Sequence, residues 1–203
     1  MADLTITTFL TLDGVMQAPG GPAEDTSGGF AHGGWLVPYM DQDMMDIVEG
    51  IIEKADAFLL GRGTYDIFAG YWPGVTDEQD IVARKLNTLP KHVASHKLKT
   101  VSWNNASLIH DVAADVKALK ARYANELQVH GSPGLAQTLI EHDLIDEFRL
   151  LVFPVTVGSG KRLFGKGAGP AAMSLVSTKA TSTGAVLQIY RRAGALKTGN
   201  YGS

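Results

Sequence analysis

Apolar and polar positions alternate from the start of the chain: Leu4, Ile6, Thr8, Leu10 and Leu12 interleave with Thr5, Thr7, Phe9 and Thr11. Period-two alternation rich in β-branched residues predicts a first strand over 4–12, ending at Asp13-Gly14. The period then changes. Over 41–55, Met44, Ile47, Val48, Ile51 and Ile52 fall on one helical stripe, and a short apolar strand follows at 57–60. The pattern predicts a short helix over 64–69 closed by Gly70, and another over 77–86 with Asp77, Glu78 and Asp80 at its positive end. Strands are expected at 91–95 and 100–103. Asp111 caps a helix reaching Tyr123, with Val112, Val116 and Leu119 inward. After a strand at 127–130, Ser132 as N-cap and Pro133 as first helical residue open a helix to about His142. A long apolar strand covers 147–155, and 172–182 with 185–192 form a hairpin around Thr183-Gly184.

Strands alternating with helices predict an α/β fold: a mainly parallel central sheet, flanking helices on both faces and a C-terminal antiparallel hairpin. No linker divides the chain, so one domain spans 1–192 and a loose tail spans 193–203. The stretch from Asp13 to Tyr39 is rich in Gly and Pro, and a segment of that length without regular structure suits a lid or binding loop.

Composition narrows the field. A chain of 203 residues with net charge -3 lacks the basic footprint of nucleic-acid binding. The absence of cysteine excludes disulfides, thiolate nucleophiles and cysteine-ligated metal. His92 and His96 stand four apart, but Pro90 and Val93-Ala94-Ser95 make the segment a strand end rather than a helical metal site, so no metal is expected. No basic segment followed by an apolar one opens the chain, and no apolar run is long enough for a bilayer. A cytoplasmic protein with no membrane contact is the expectation.

Chemistry enters at two strand-to-helix glycine turns, Leu60-Gly61-Arg62-Gly63-Thr64 and His130-Gly131-Ser132-Pro133-Gly134-Leu135. Glycine lets backbone approach an anion, and the free amides of the following helix meet its charge. Two such turns on one sheet point to a dinucleotide. His130 itself reads as a strand-end residue.

In this order, Leu10-Thr11-Leu12-Asp13-Gly14, the two glycine turns, and Leu144-Ile145-Asp146-Glu147-Phe148-Arg149-Leu150 followed by Pro154-Val155-Thr156-Val157-Gly158-Ser159-Gly160 resemble the dihydrofolate reductase-like superfamily. Within it the pattern is most similar to the RibD C-terminal domain family of riboflavin-biosynthesis reductases, over nearly the whole chain. The resemblance implies NADPH-dependent hydride transfer to a planar heterocyclic substrate of the 5-amino-6-(5-phosphoribosylamino)uracil type. It places Gly61, Arg62, Gly63 and Thr64 on the pyrophosphate and 2′-phosphate, Ser95, His96 and Lys97 on the adenosine ribose-phosphate, and Gly131, Ser132, Pro133, Gly134 and Leu135 on the second phosphate turn. Relatives of this type pair through the sheet and its terminal strands. Together with the apolar Phe148, Leu150, Leu151, Val152 and Phe153, that implies a homodimer.

For the substrate side the chain offers Asp13, Gln17, Trp35, Asp43 and Asp46, with Asp13 and Trp35 the catalytic candidates. Asp13 is read as a turn-former or a binding and proton-relay group, Trp35 as a stacking platform or a lid anchor. Lys161 and Arg162 are either loop charges or contacts to a substrate phosphate. Dihydrofolate reductases hold the pterin with an acid on the first helix; Asp43 and Asp46 straddle that position, which weakens the folate reading. Three activities stand at this point: the heterocycle reductase, a dihydrofolate reductase proper, and a non-catalytic NADP-binding protein.

Overall fold

The computed structural model describes residues 1–165 and 168–202. Eight strands form one sheet in the order β4-β3-β2-β5-β1-β6-β8-β7. They are β1 (Asp3–Thr11), β2 (Ala55–Gly61), β3 (Lys91–Ala94), β4 (Ala106–Ile109), β5 (Glu126–His130), β6 (Glu147–Phe153), β7 (Met173–Ala180) and β8 (Val186–Arg192). From β4 to β6 every pairing is parallel; β8 and β7 close the sheet as an antiparallel hairpin. The helices are α1 (Gln42–Ile52), α2 (Arg62–Tyr71), α3 (Ile81–Thr88), α4 (Val112–Arg122) and α5 (Pro133–Glu141).

Two faces of the sheet carry two different cores. Leu4, Ile6 and Leu10 of β1, with Leu127 and Val129 of β5, pack against Val116 and Leu119 of α4 and Leu135, Ala136 and Leu139 of α5. On the opposite face α1 buries Met44, Ile47 and Ile51 against Leu151, Phe153 and Leu187. Phe58, Leu60 and Val93 pack there on Tyr65 of α2 and Leu86 of α3. Strand β2 is covered on both sides, which explains its unbroken apolar run Ala57-Phe58-Leu59-Leu60. Each fully buried leucine contributes about 1.5 to 3 kcal/mol.

Three helices start on aspartate caps. Asp41, Asp80 and Asp111 accept from the amides of Met44, Ala83 and Ala114 at 2.8, 2.9 and 3.0 Å. The Asp41 carboxylate also accepts from Ser182 Oγ and from Thr183 N, while Asp43 accepts from Ser182 N. The start of α1 is thereby fastened to the β7–β8 turn.

Several expected elements are corrected. No strand forms over 100–103: the amides of Ser102 and Trp103 donate to the Tyr65 hydroxyl, and Trp103 turns into the core. The strand lies instead at Ala106–Ile109, beside β3. Gly70 does not stop α2, which runs from Arg62 to Tyr71 and gives way at Trp72-Pro73. The helix expected from Asp77 begins only at Ile81 under its Asp80 cap. Nor is the 13–39 segment a loose lid. Val15, Met16, Ala18, Phe30, Trp35 and Leu36 are all buried, and two 3-10 turns interrupt the loop. Hairpin pairing extends through Ala193 and Gly194 to Ala172, and 195–202 lie exposed, with Ser203 outside the described residues. Among the described residues no helix is long and apolar enough to cross a membrane.

Candidate functional site

The connection leaving β1 packs α1 on one face of the sheet, and the connection leaving β5 packs α5 on the other. Adjacent strands whose connections diverge open a crevice at their carboxyl ends. Here β5 pairs with β1 only as far as Thr7, where Gly131 N donates to Thr7 O at 3.0 Å. On its other side β1 stays paired with β6 to Thr11. The last residues of β1 therefore have no strand on the β5 side.

Three turns line up beside that edge. Ser95–Lys97 follow β3, Gly61–Thr64 follow β2 and Gly131–Leu135 follow β5, in the order their strands take in the sheet. At about 4.8 Å per strand, the row from β3 to β1 spans about 14 Å, comparable with an extended half of a dinucleotide.

The two glycine turns touch. Ser132 Oγ accepts from Gly61 N at 3.0 Å and lies 2.9 Å from Thr64 Oγ1 and 3.0 Å from His130 O. A Cβ on Gly61 would lie 3.2 Å from Ser132 Cβ, so any larger residue would push the two turns apart by a few tenths of an ångström. Ser132 is left-handed, at φ 58°, directly after Gly131 at φ 54°. The expected N-cap bond from Ser132 is absent because its hydroxyl is spent on the neighbouring turn. Helix α2 also starts without a side-chain cap. Two helix N-termini thus direct uncapped amides toward the same space. Added Cβ atoms at Gly63 and Gly134 would meet nothing within 4 Å, whereas Leu135 is buried in the core. Pro133 occupies the first helical position.

At the β3 end, Ser95 Oγ accepts from the amides of Lys97 and Leu98, and His96 and Lys97 are exposed. Gly61 pairs with Ala94 in register, so Arg62 and Ser95 leave neighbouring strand ends. Arg62 meets Asp66 at 3.2 Å on the surface of α2, and about half of its side chain is exposed.

The substrate candidates do not converge. Asp13 accepts from Thr11 Oγ1 at 2.6 Å, from Val157 N and from Gly158 N, with Arg162 at 3.4 Å. The Thr11 hydroxyl, working against desolvation and helped by the two amides, holds its carboxyl at about 2. Ionised at neutral pH, Asp13 has no proton to relay; it joins the end of β1 to the 154–160 loop. Gln17 is buried and staples that region, donating to Asp25 O and Ser27 O and accepting from Lys161 N. Trp35 is an anchor rather than an open platform: its Nε1 donates to Gln17 O at 2.8 Å, and its ring packs edge-on to Phe153. Asp43 serves the hairpin turn, and Asp46, exposed on α1, accepts from Gln42. Lys161 and Arg162 are paired with Asp25 and Asp13.

Sequence reasoning passed over a polar layer beneath α1. Thr5 aligns with Gln128 and Glu147, and Thr7 with His130 and Arg149. The buried Arg149 holds Glu126 with two bonds of 2.9 and 2.7 Å and Glu147 with one of 2.7 Å. Burial pushes the Glu126 carboxyl up, but Arg149 outweighs it and leaves the group below the ordinary range. The hydroxyls of Thr5 and Thr7 are buried and have no hydrogen-bond partner among the described residues. The signal was available: Glu126, Gln128 and His130 alternate with Leu127 and Val129, which marks a second, polar face on an inner strand.

The whole chain, not only the crevice, has counterparts. A crystal structure of a candidate riboflavin biosynthesis protein from Shewanella sp. PV-4 superposes with a TM-score of 0.69 at 21% identity, covering 95% of this chain and 99% of that one. A pyrimidine reductase-like protein from Corynebacterium diphtheriae gives 0.65 at 14% identity, over 94% and 92% of the two chains. At these identities the likeness is one of fold. The uncharacterised protein YyaP of Bacillus subtilis strain 168 is 28% identical over 184 residues, 89% of this chain and 90% of that protein. The sequence model of the RibD C-terminal domain matches residues 2–187. With that match running from β1 into β8 and the dihydrofolate reductase-like sheet beneath it, the chain belongs to the RibD C-terminal domain family.

Proposed function

We propose that the protein is an NADPH-dependent reductase of a planar heterocyclic substrate, of the 5-amino-6-(5-phosphoribosylamino)uracil type. The observation that carries this reading is the pair of glycine turns joined through Ser132, with two uncapped helix N-termini, in a row that ends on the unpaired edge of β1. Family membership supports a reductase of riboflavin type in general.

In this reading the amides opening α2 and α5 bind the pyrophosphate, because they are the donors the helices leave unused. Open space at Gly63 and Gly134 lets the phosphates approach the backbone. Arg62, Ser95, His96 and Lys97 receive the 2′-phosphate through charge-assisted bonds. Bound NADPH would supply the hydride. The loop around Trp35 packs on Phe153 and α1, and Asp13 joins its start to the 154–160 segment, so in this reading the loop would serve as a fixed wall on the substrate side.

The test is a fluorescence titration with NADPH followed by a turnover assay on oxidised pyrimidines. NADPH binding with turnover supports the reading, and binding without turnover on any heterocycle favours a non-catalytic role. Turnover of dihydrofolate blocked by an antifolate would replace the pyrimidine with folate. Gly134→Val should abolish NADPH binding with the melting temperature of the free protein nearly unchanged, since the added side chain enters open space. Wild-type-like NADPH affinity in that variant would move the pyrophosphate away from α5.

A further inference from the structure

The polar layer under α1 is a relay of hydrogen bonds with a direction. Its fixed end is Arg149, whose guanidinium donates to both oxygens of Glu126. Glu126 Oε2 and the carbonyl of Ile51 both lie 2.7 Å from the same amide atom of Gln128. A carboxylate and a carbonyl can only accept, so that atom is the NH2 nitrogen and the other is the carbonyl oxygen. Gln128 Oε1 lies 3.1 Å from His130 Nε2. Two acceptors on the amide nitrogen thus leave an acceptor facing His130, and Nε2 must carry the proton.

The consequence falls on the other ring nitrogen. With Nε2 protonated, neutral His130 has an unprotonated Nδ1, and this atom makes no hydrogen bond among the described residues. Burial, with the Arg149 charge adding to it and Glu126 opposing, pulls the imidazole down to about 4, so the ring is neutral at physiological pH. Glu147 on β6 faces the same layer but is engaged by Arg149 and Arg191. His130 is partly exposed and ends β5, one residue before the glycine turn at the crevice. Beside it in register, the Thr7 hydroxyl is buried and without a partner among the described residues, a second unspent group at the same place.

We infer that His130 is a specificity-determining residue: its Nδ1 accepts a hydrogen bond from an N–H of a bound pyrimidine, with Gln128 and Arg149 as positioning residues that lock the tautomer. This rests on the heterocycle reading above. A ring that offers N–H at that edge is selected, and one alkylated there leaves the acceptor unpaired and is rejected.

Nitrogen-15 NMR of uniformly labelled protein tests the tautomer without any ligand, with His130→Gln identifying the signal. The expected signature is a protonated Nε2 and an unprotonated Nδ1, unchanged from pH 8 to pH 5. A protonated Nδ1, or an imidazolium at pH 7, overturns the inference whatever the enzyme does. In protein saturated with NADP+, 6-aminouracil should move the Nδ1 resonance toward the protonated range, and 1,3-dimethyluracil, which has no N–H, should not. If 6-aminouracil shifts the amides of Gly131 and Ser132 but leaves Nδ1 in place, the inference falls and the pyrimidine reading survives. If neither compound shifts any resonance, both fall. Gln128→Met should convert the signature to a tautomer mixture, an effect that a merely structural glutamine would not have. With an active pyrimidine substrate, His130→Phe should raise KM about tenfold with the NADPH dissociation constant unchanged.

Discussion

Ser132 offers a measurement in which fold and ligand site separate. Its hydroxyl satisfies Gly61 N and has Thr64 Oγ1 and His130 O as alternative acceptors. One hydroxyl proton serves only one of these at a time, so Ser132→Ala removes two hydrogen bonds and leaves the Gly61 amide without its partner. A lost neutral bond costs about 1 kcal/mol and an unsatisfied amide about 1 to 3, for a total of about 2 to 4 kcal/mol. At roughly 2 to 4 °C per kcal/mol for a chain of this size, the melting temperature should fall by about 4 to 16 °C. Ser132→Gly loses the same bonds but relaxes the left-handed backbone at φ 58°, worth about 1 kcal/mol, and should be the less damaged variant. Calorimetry of the two variants gives the stability terms, and NADPH titration reports whether the turns still act together. If Ser132→Ala melts within 1 °C of wild type and binds NADPH equally well, the bridge between the turns is not the organising contact.

Three further outcomes are expected. Arg62→Ala should weaken NADPH about tenfold and NADH little, the low end for a charge-assisted bond because Asp66 competes for the guanidinium; equal weakening of both cofactors would show that Arg62 does not read the 2′-phosphate. Asp13 and Asp41 are each held at about 2, Asp13 chiefly by the Thr11 hydroxyl and Asp41 by the Ser182 hydroxyl. Depressed carboxyls contribute stability above their unfolded value of 3.8 that is lost as pH falls toward 2, so acid unfolding should begin below pH 4 and be less steep in an Asp13→Asn, Asp41→Asn double variant. A homodimer remains the expected assembly, but through β7 rather than the residues first credited: Phe148, Leu150, Leu151 and Phe153 are buried in β6, between β1 and β8, whereas Leu175 and Val176 stand more than half exposed on the edge strand. Leu175→Glu with Val176→Glu should yield a monomer by sedimentation, and a wild-type chain that sediments as a monomer at micromolar concentration removes the idea.

Local signals carried most of the fold. Alternation in β1, the cap at Asp111 and the hairpin around Gly184 are decided within a few residues, and each was legible. The strand expected at 100–103 failed because Tyr65, far away in sequence, takes the amides of Ser102 and Trp103. In the site, the two strand-to-helix glycine turns were legible as turns, but their direct contact through Ser132 was not, since it joins positions 71 residues apart. Asp13, Gln17, Trp35 and Asp43 were singled out as polar or aromatic residues at good positions. Their partners, fixed only by the tertiary structure, are loop and turn groups of the protein itself. The Gln128–His130 relay went unread because its ordering depends on Ile51 and Arg149, from two other elements.

The fastening of α1 to the last hairpin bears on how the chain reaches its native state. Asp41 and Asp43 find Ser182 and Thr183 about 140 residues downstream, and the same helix covers Leu187 on β8. Closing so long a segment costs little more than closing one half its length, roughly 0.6 kcal/mol per doubling, but it cannot happen before the far end exists. On the ribosome, α1 and the apolar face of β6 therefore wait for nearly the entire polypeptide, exposed to chaperones and to other nascent chains. A fragment ending at Ala180 would lack β8, which pairs with Leu151 and whose Leu187 packs in the same core as Phe153, and should aggregate rather than survive as a smaller folded domain.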